Sequence, residues 1–245
     1  MESPIHEETA GVPAHPYYPV SAPLSHYTVN QTPVAVLLVS FGVIILASVA
    51  AAVQLARRAC PSLSVADQLT VAWFALCGFL HCFFEGYYIY HHEDLAGLQT
   101  LFGQLWKEYS LSDSRYLTSD PFMLCVESLT VLMWGPLCWT IVWAIAKRSN
   151  FRYPLTAIMC VGHLYGVMLY YSTSLTEYYL HGVSHSRPEF LYFWVYYVGF
   201  NGPWVVVPAI LLYRNVMYIK RKLDGSEHAQ FVVNSVDGPL GKKDL

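Results

Sequence analysis

The stretch PFMLCVESLTVLMWGPLCWTIVWAIA, residues 121–146, carries one charged side chain, Glu127, in an otherwise mostly apolar run. A helix needs about 20 residues to cross the hydrocarbon core of a membrane, so this stretch predicts a transmembrane helix. Four further segments of similar length and character lie on either side, at about residues Pro33–Leu55, Ala66–Tyr90, Arg152–Ser174 and Glu189–Tyr213. The sequence therefore predicts an all-α fold, an integral membrane bundle of five helices.

The composition of the 245-residue chain agrees with insertion into a membrane. Hydrophobic residues make up 55% and charged residues 13%, whereas soluble domains carry about a quarter charged residues. Tyr, Trp and Phe are abundant, and such side chains anchor proteins at membrane interfaces. The net charge of −3 argues against nucleic acid as a partner. The six cysteines form no CxxC pair, and we interpret them as small buried hydrophobic residues.

Lys and Arg are distributed unevenly between the predicted helices. The first loop, the third loop and the C-terminal tail hold eleven of the fourteen, and the N-terminal arm holds none. Because cytosolic loops are enriched in Lys and Arg, we predict a lumenal arm over 1–31, a five-helix domain over 32–215 and a cytosolic tail over 216–245. The last residues, KKDL at 242–245, resemble a dilysine retrieval signal and predict residence in the endoplasmic reticulum membrane.

The second loop carries apolar and aromatic residues at helical spacing, which predicts an amphipathic lumenal helix. These residues are Leu98, Leu101, Phe102, Leu105, Trp106 and Tyr109. The helix either lies on the membrane interface or packs on the ends of the bundle. Both arrangements cover the lumenal mouth of the bundle.

Ionisable side chains inside a membrane helix are costly, so each one points to a function. His81 and Glu85 lie four residues apart on the second helix and share one face. The third and fifth helices add further polar and indole side chains, each set on one face of its helix. These are Glu127, Thr130 and Trp134 on the third helix, and Asn201 and Trp204 on the fifth. His163 on the fourth helix has no charged companion, and we interpret it as an interhelical hydrogen-bonding residue.

This polar set favours acid–base chemistry on an apolar molecule, without a cofactor. His81, Glu85 and Glu127 are competent metal ligands, but the several histidine boxes of membrane di-iron oxidases are missing from the sequence, as is a G-x-G-x-x-G nucleotide motif. Two carboxyl groups in different environments can divide the donation of one proton to an alkene and the removal of another. The intermediate carbocation needs negative charge and aromatic faces nearby, which Glu127, Trp134 and Trp204 can supply.

Seven short motifs, taken together, resemble one family of membrane enzymes. They are GFLHCFFEG at 78–86, LWKEY at 105–109, DSRY at 113–116, CVESLT at 125–130, WGP at 134–136, GHLYG at 162–166 and NGPW at 201–204. In order and spacing they resemble the emopamil-binding protein family of sterol Δ8–Δ7 isomerases, over about residues 67–215. The resemblance implies five membrane helices around a sterol cavity and the isomerisation of a Δ8 sterol to a Δ7 sterol.

The resemblance also implies which residues act. The catalytic positions it carries over are His81, Glu85, Glu127, Thr130, Asn201 and Trp204. His81 and Glu85 would donate a proton on the C9 side of the double bond. Glu127 would stabilise the cation and help to remove the C7 proton, with Thr130 and Asn201 orienting it. The sequence leaves open which carboxyl group performs which step.

We expect the substrate pocket to include Tyr116, Trp134, Tyr165 and Tyr197. The expected partners are a sterol substrate, membrane lipid, cationic amphiphilic amines as inhibitors and a second copy of the chain in a homodimer; no cofactor and no metal are expected.

Two positions depart from the family pattern. His163 stands where an amide or acid is expected, and Val167 stands where some relatives carry Asp. Two alternatives therefore stay open beside the sterol isomerase. One is a non-catalytic sterol- or lipid-binding member of the family, and the other is an isomerase of another polycyclic terpenoid in specialised metabolism.

Overall fold

The computed structural model describes residues 15–236, with side chains through residue 226. Over this part of the chain the fold is all-α. The helices are α1 (Val34–Ala59), α2 (Val65–His91), α3 (Leu101–Tyr109), α4 (Pro121–Ala146), α5 (Arg152–His181) and α6, which begins with Leu191–Gly199 and continues as Pro203–Val236. All except α3 are long and apolar enough to cross a membrane, which confirms the predicted five-helix bundle.

The helix ends that sequence analysis placed worst are those of α5 and α6. The apolar pattern predicts ends at Ser174 and Tyr213, whereas the helices continue to His181 and Val236. Hydropathy identifies the part of a helix that lies in lipid, and it does not detect a polar continuation of the same helix. At the end of α5 the chain turns at Gly182, whose φ of 67° is a left-handed conformation that glycine adopts without strain.

Local sequence explains where the helices begin. Ser64 starts α2 by accepting a hydrogen bond from the backbone N–H of Asp67, and Asp120 starts α4 by accepting one from that of Met123. Pro121 follows Asp120 at the first position of α4, where its missing N–H costs nothing.

Three membrane helices contain a π-helical segment. These segments are Leu80–Glu85 in α2, Thr130–Trp134 in α4 and Leu191–Gly199 in α6. In α4 the segment ends two residues before Pro136, which has no N–H to donate to the preceding turn. Such segments shift the phase of the helix and occur frequently at functional sites. Their effect is to change which side chains of α2, α4 and α6 face the interior.

The close contact between α2 and α4 depends on Gly135. A Cβ atom on Gly135 would lie 2.5 Å from Cys82 Sγ, so any larger residue would require the Cys82 side chain or the helix backbone to shift. This contact sets the distance between the two helices that carry the predicted carboxyl groups.

One end of the bundle is closed by the segments 15–32, 92–120 and 182–190, which we call the cap. Helix α3 belongs to the cap and packs into the bundle. Trp106 stacks on Phe84 of α2 with ring centroids 4.4 Å apart, and its indole N–H donates to the Phe84 carbonyl at 2.9 Å. Of the two arrangements left open by the sequence, the structure has the helix packed on the ends of the bundle.

The cap holds its own buried charges. Asp113 and Arg115 form a bidentate ion pair with an N–O distance of 2.6 Å, and Arg115 also donates to Thr173 Oγ1 of α5 at 3.0 Å. Lys107 is fully buried and donates to the backbone carbonyl of Thr28 in the N-terminal segment at 2.9 Å. Burial lowers the pKa of the Lys107 ammonium to about 8.

The predicted retrieval motif at 242–245 lies outside the described residues.

Candidate functional site

A cavity of about 480 Å³ lies in the bundle beneath the cap, inside the range of roughly 300–1,000 Å³ usual for small-molecule sites. Helices α2, α4, α5 and α6 form its walls, α1 adds Leu38 and Phe41, and α3 forms its roof. Nine polar or aromatic residues of the cavity wall matter for the chemistry. They are His81, Glu85, Tyr116, Glu127, Thr130, Trp134, His163, Asn201 and Trp204.

His81 and Glu85 form a buried pair within the π-helical segment of α2. The imidazole Nδ1 of His81 lies 2.9 Å and 2.8 Å from the two carboxylate oxygens of Glu85. Their side chains are only 6% and 16% exposed, so both groups are largely withdrawn from water. The contact places an imidazole and a carboxyl group side by side, and such a pair can hold a proton and deliver it to a bound molecule.

His163 of α5 contacts this pair from the opposite wall. Its Nε2 lies 3.1 Å from Nε2 of His81. One Nε2 atom donates a hydrogen bond to the other, and the tautomers of the two rings set the direction. The other ring nitrogen of His163, Nδ1, is buried and has no hydrogen-bond partner among the described residues. His163 thus contacts the predicted catalytic histidine, His81. The sequence of α5 does not show this contact, because His81 lies on another helix.

Glu127 occupies the facing wall, on α4. Its carboxylate accepts a hydrogen bond from the Tyr116 hydroxyl at 3.0 Å, and it lines the same cavity as Glu85. Burial raises the pKa of the Tyr116 phenol, so Tyr116 stays protonated and remains a donor. Two carboxyl groups with different partners therefore face one apolar cavity.

Residues 101–215 of the chain match the EBP family, described as EXPERA (EXPanded EBP superfamily). The chain is 37% identical over 212 residues to the 3-beta-hydroxysteroid-Delta(8),Delta(7)-isomerase of Rattus norvegicus, and the matched region covers 85% of this chain and 90% of the rat protein. The Mus musculus protein of the same name is 36% identical over 210 residues, 83% of this chain and 88% of the relative. An isomeliandiol synthase of Melia azedarach is 35% identical over 149 residues, 60% of this chain and 68% of the relative.

The chain belongs to the EXPERA family.

Within this EXPERA bundle, Thr130 and Asn201 line the cavity but do not bond to Glu127. The Thr130 hydroxyl donates to the Val126 carbonyl of its own helix at 2.8 Å. The Asn201 amide donates to the Tyr197 carbonyl at 2.8 Å and to the Tyr109 hydroxyl at 3.4 Å. The group that fixes the Glu127 carboxylate is Tyr116, which sequence reasoning placed only in the pocket wall.

Trp134 and Trp204 both line the cavity. Trp134 packs against Gly162 of α5, where an added Cβ would come within 3.0 Å of the indole. Trp204 packs against Trp73 with ring centroids 5.3 Å apart. The two indoles give the cavity the electron-rich faces that a cationic intermediate requires.

Two residues predicted in the pocket lie elsewhere in this EXPERA protein. Tyr165 is 56% exposed on the outer face of α5, because residues two apart on a helix point to nearly opposite sides and His163 points inward. Tyr197 is buried, but its ring packs between Tyr170 and Tyr171 of α5 and contacts the cavity only through the Asn201 hydrogen bond to its carbonyl. Neither side chain lines the cavity in this structure.

The cavity also contains a third carboxyl group that sequence reasoning missed. Glu108 of α3 lines the roof and accepts a hydrogen bond from the Tyr196 hydroxyl at 3.2 Å. Burial raises the pKa of the Glu108 carboxyl. The amphipathic pattern of α3 identifies only its apolar residues. Glu108 lies between Lys107 and Tyr109, so the sequence gives no sign that its side chain enters the cavity.

The metal-competent side chains that lie together in the structure differ from the set His81, Glu85 and Glu127 considered from the sequence. Among the described residues, the ligand atoms of Cys77, His81 and His163 all lie within 4.8 Å of one another, and all three residues are buried. Glu85 reaches this group only through His81.

Proposed function

We propose that this protein is a sterol Δ8–Δ7 isomerase. The observation that carries the proposal is the placement of the His81–Glu85 pair and the Glu127 carboxylate on one apolar cavity. The similarity to animal 3-beta-hydroxysteroid-Delta(8),Delta(7)-isomerases over most of both chains supports the same reaction. A non-catalytic binding protein has no need for two carboxyl groups and an imidazole in a membrane cavity, where each is costly.

The first step is protonation of the alkene. In its protonated state the His81–Glu85 pair carries one proton more than a neutral imidazole and a carboxylate. It delivers that proton to C9 of the C8=C9 double bond, and the electron pair of that bond forms the new C9–H bond. A cation remains at C8. The hydrogen bond between the Nε2 atoms of His163 and His81 holds the His81 ring in place during this transfer.

The second step is loss of a proton from C7. Glu127, held by the Tyr116 hydroxyl, stabilises the cation and accepts the C7 proton. The electrons of the C7–H bond form the C7=C8 double bond, so atoms and charge balance without a redox partner. Trp134 and Trp204 face the cation, and the apolar walls exclude the water that would otherwise trap it.

This mechanism predicts that cationic amphiphilic amines inhibit the enzyme. A sterol-shaped amine presents a fixed positive charge where the cation forms, and a site built for that cation binds it tightly. The supporting groups are the Glu127 carboxylate and the two cavity indoles.

The test is expression in a yeast strain that lacks its own sterol isomerase, followed by sterol analysis. We expect accumulated Δ8 sterols to be converted to Δ7 sterols. The control is Glu127→Gln expressed to the same level, which should leave the Δ8 sterols unconverted. Unconverted Δ8 sterols with the well-expressed parent protein would contradict the proposal.

Isomerisation of another polycyclic terpenoid is the second candidate. It is favoured by the relatives named isomeliandiol synthase and protoglabretal synthase and by His163 and Val167, which depart from the expected pattern at the cavity wall. Purified protein offered a Δ8 sterol and a tetracyclic triterpenoid in competition separates the two. The substrate with the higher kcat/KM is the native class.

We further propose residence in the endoplasmic reticulum membrane, with the arm over 1–31 lumenal, the catalytic bundle at 32–215 and the tail over 216–245 cytosolic. The concentration of Lys and Arg at the end opposite the cap supports this orientation. A tag after Leu245 should be cleaved by protease added to intact microsomes, and a protected tag would reverse the orientation. A homodimer is part of the same proposal, and cross-linking in native membranes tests it.

A further inference from the structure

One thiol and two imidazoles that can bind a metal ion converge where α2 meets α5. Cys77 and His81 lie four residues apart on α2 and so share one face, and His163 reaches them from α5. The sulfur of Cys77 and one ring nitrogen of each histidine lie within 4.8 Å of one another. Cys77 is fully buried, and the two histidines are each 5% exposed.

The two imidazoles are already spaced as a metal requires. Their Nε2 atoms are 3.1 Å apart. Two nitrogens at the usual Zn–N distance on a tetrahedral ion are roughly 3.3–3.4 Å apart. A small rotation of either ring therefore opens the gap that an ion fills. His163 would then carry its proton on Nδ1, the atom that has no hydrogen-bond partner among the described residues.

Glu85 completes the arrangement. It accepts the Nδ1–H of His81 at 2.8 Å, so Nε2 of His81 is the free ligand atom. A carboxylate bonded to the far nitrogen of a metal-bound histidine is the usual support for such a ligand, because it fixes the ring and makes it more basic.

Charge balance favours a divalent ion at this place. A bound ion of charge +2 displaces the proton of the Cys77 thiol, which leaves a thiolate. The thiolate and the Glu85 carboxylate together carry a charge of −2. The buried site is then neutral as a whole, which removes most of the cost of placing a cation inside a membrane.

We propose that Cys77, His81 and His163 form a binding site for a Zn²⁺-type transition metal ion, and that the bound ion inhibits the enzyme. Three protein ligands leave the fourth tetrahedral position to water from the cavity. With a metal on Nε2, His81 can no longer take part in proton transfer, and the ion adds positive charge beside the cavity where the cation must form. The inhibition rests on the proposed isomerase function, whereas binding of the metal does not.

The first test is binding of Co²⁺, as a spectroscopic probe, to the metal-free full-length protein in detergent. We expect a thiolate-to-cobalt absorption band and the strong visible bands of a tetrahedral site. Cys77→Ser should abolish the thiolate band and weaken Co²⁺ binding by at least about tenfold, since soft thiolates favour these ions. The matched control is Cys60→Ser, another buried cysteine that lies outside the cluster, and its spectrum should equal that of the parent.

Two further variants separate the ligands from their support. His163→Gln should remove a ligand and lose tetrahedral Co²⁺ binding. Glu85→Gln keeps all three ligands and should weaken binding about 10- to 100-fold. Absence of the thiolate band in the parent protein, or its persistence in Cys77→Ser, would overturn the site.

The second test is turnover with Zn²⁺. Zn²⁺ should inhibit the parent protein and Cys60→Ser reversibly, and a chelator should restore full activity. Cys77→Ser, whose residue takes no part in catalysis, should keep its activity and resist Zn²⁺. Equal inhibition of Cys77→Ser would overturn the proposal. Co²⁺ binding through Cys77 in a protein that isomerises no sterol even when metal-free would support the site and overturn the proposed function instead.

Discussion

Two groups of buried charges in this protein differ in how well they are satisfied. In the cap, Asp113 and Arg115 are 0% and 2% exposed and bond to each other through two pairs of atoms, with Thr173 taking a further donor. In the cavity, Glu85 and Glu127 line the same apolar space, and Nδ1 of His163 has no hydrogen-bond partner in the part of the chain that the structure describes.

The difference separates structure from chemistry. A charge pair that satisfies itself fixes the cap on the bundle and has nothing left to offer a substrate. Carboxyl groups and imidazoles with unfilled hydrogen-bonding capacity are costly to bury, and they persist where a ligand completes them. Mutations in the two groups should therefore divide between stability and turnover.

Breaking the cap pair should have the largest effect, and it should fall on stability. Asp113→Ala leaves the Arg115 guanidinium buried without its partner, which costs about 3–5 kcal/mol in comparable proteins. We expect a large drop in Tm in detergent, while kcat per folded molecule changes little. A Tm equal to that of the parent would show that the pair does not hold the cap.

Removing the Glu127 charge should change a free energy by a similar amount to Asp113→Ala, but the change should lower turnover and not stability. In Glu127→Gln we expect kcat to fall about 10²–10³-fold, the loss typical of one well-placed electrostatic group. The Tm should stay at or above that of the parent, because an amide is easier to bury than a carboxylate. Affinity for a sterol-shaped cationic amine should drop about 10- to 100-fold.

The matched control for that substitution is Glu177→Gln. Glu177 is a carboxylate of α5 outside the cavity that pairs with His185. Its loss should leave kcat and amine affinity unchanged. Normal turnover in Glu127→Gln, or equal losses in both variants, would remove Glu127 from the mechanism.

The contact between His163 and His81 should matter less. His163→Leu removes one hydrogen bond to His81, which is worth about 0.5–1.5 kcal/mol, so we expect kcat to fall by up to about tenfold. His163→Gln can still donate to Nε2 of His81 and should recover most of that loss. The ratio of the two variants in single-turnover rates measures the contact, and equal rates would show that it has no role in positioning His81.

The smallest effect concerns the single hydrogen bond of Lys107 in the cap. The pKa of the Lys107 ammonium falls from 10.5 to about 8 on folding. Between these two values the unfolded chain therefore binds more protons than the folded chain, and the free energy of unfolding rises with pH. We expect the Tm to rise by a few degrees between pH 8 and 10. Lys107→Met should lose this dependence, and the same slope in both proteins would exclude Lys107 as its source.

The sequence by itself determined the number of membrane helices and much of the polar set. The apolar length of each segment follows from the thickness of a bilayer, which leaves little freedom. The spacing of His81 and Glu85 placed them in hydrogen-bonding reach because both sit on one helix. Helix α3 was equally visible in its apolar spacing, although its place on the bundle was not.

Only the tertiary structure decided which residues meet across helices. The approach of His163 to His81, the Tyr116 bond to Glu127 and the roof position of Glu108 join residues far apart in the chain. Such contacts depend on how each helix is rotated about its axis, and the π-helical segments shift that rotation within α2, α4 and α6. The regular spacing of an α-helix does not include this shift. The sequence could therefore assign polar residues to one face of each helix, but it could not show which faces meet.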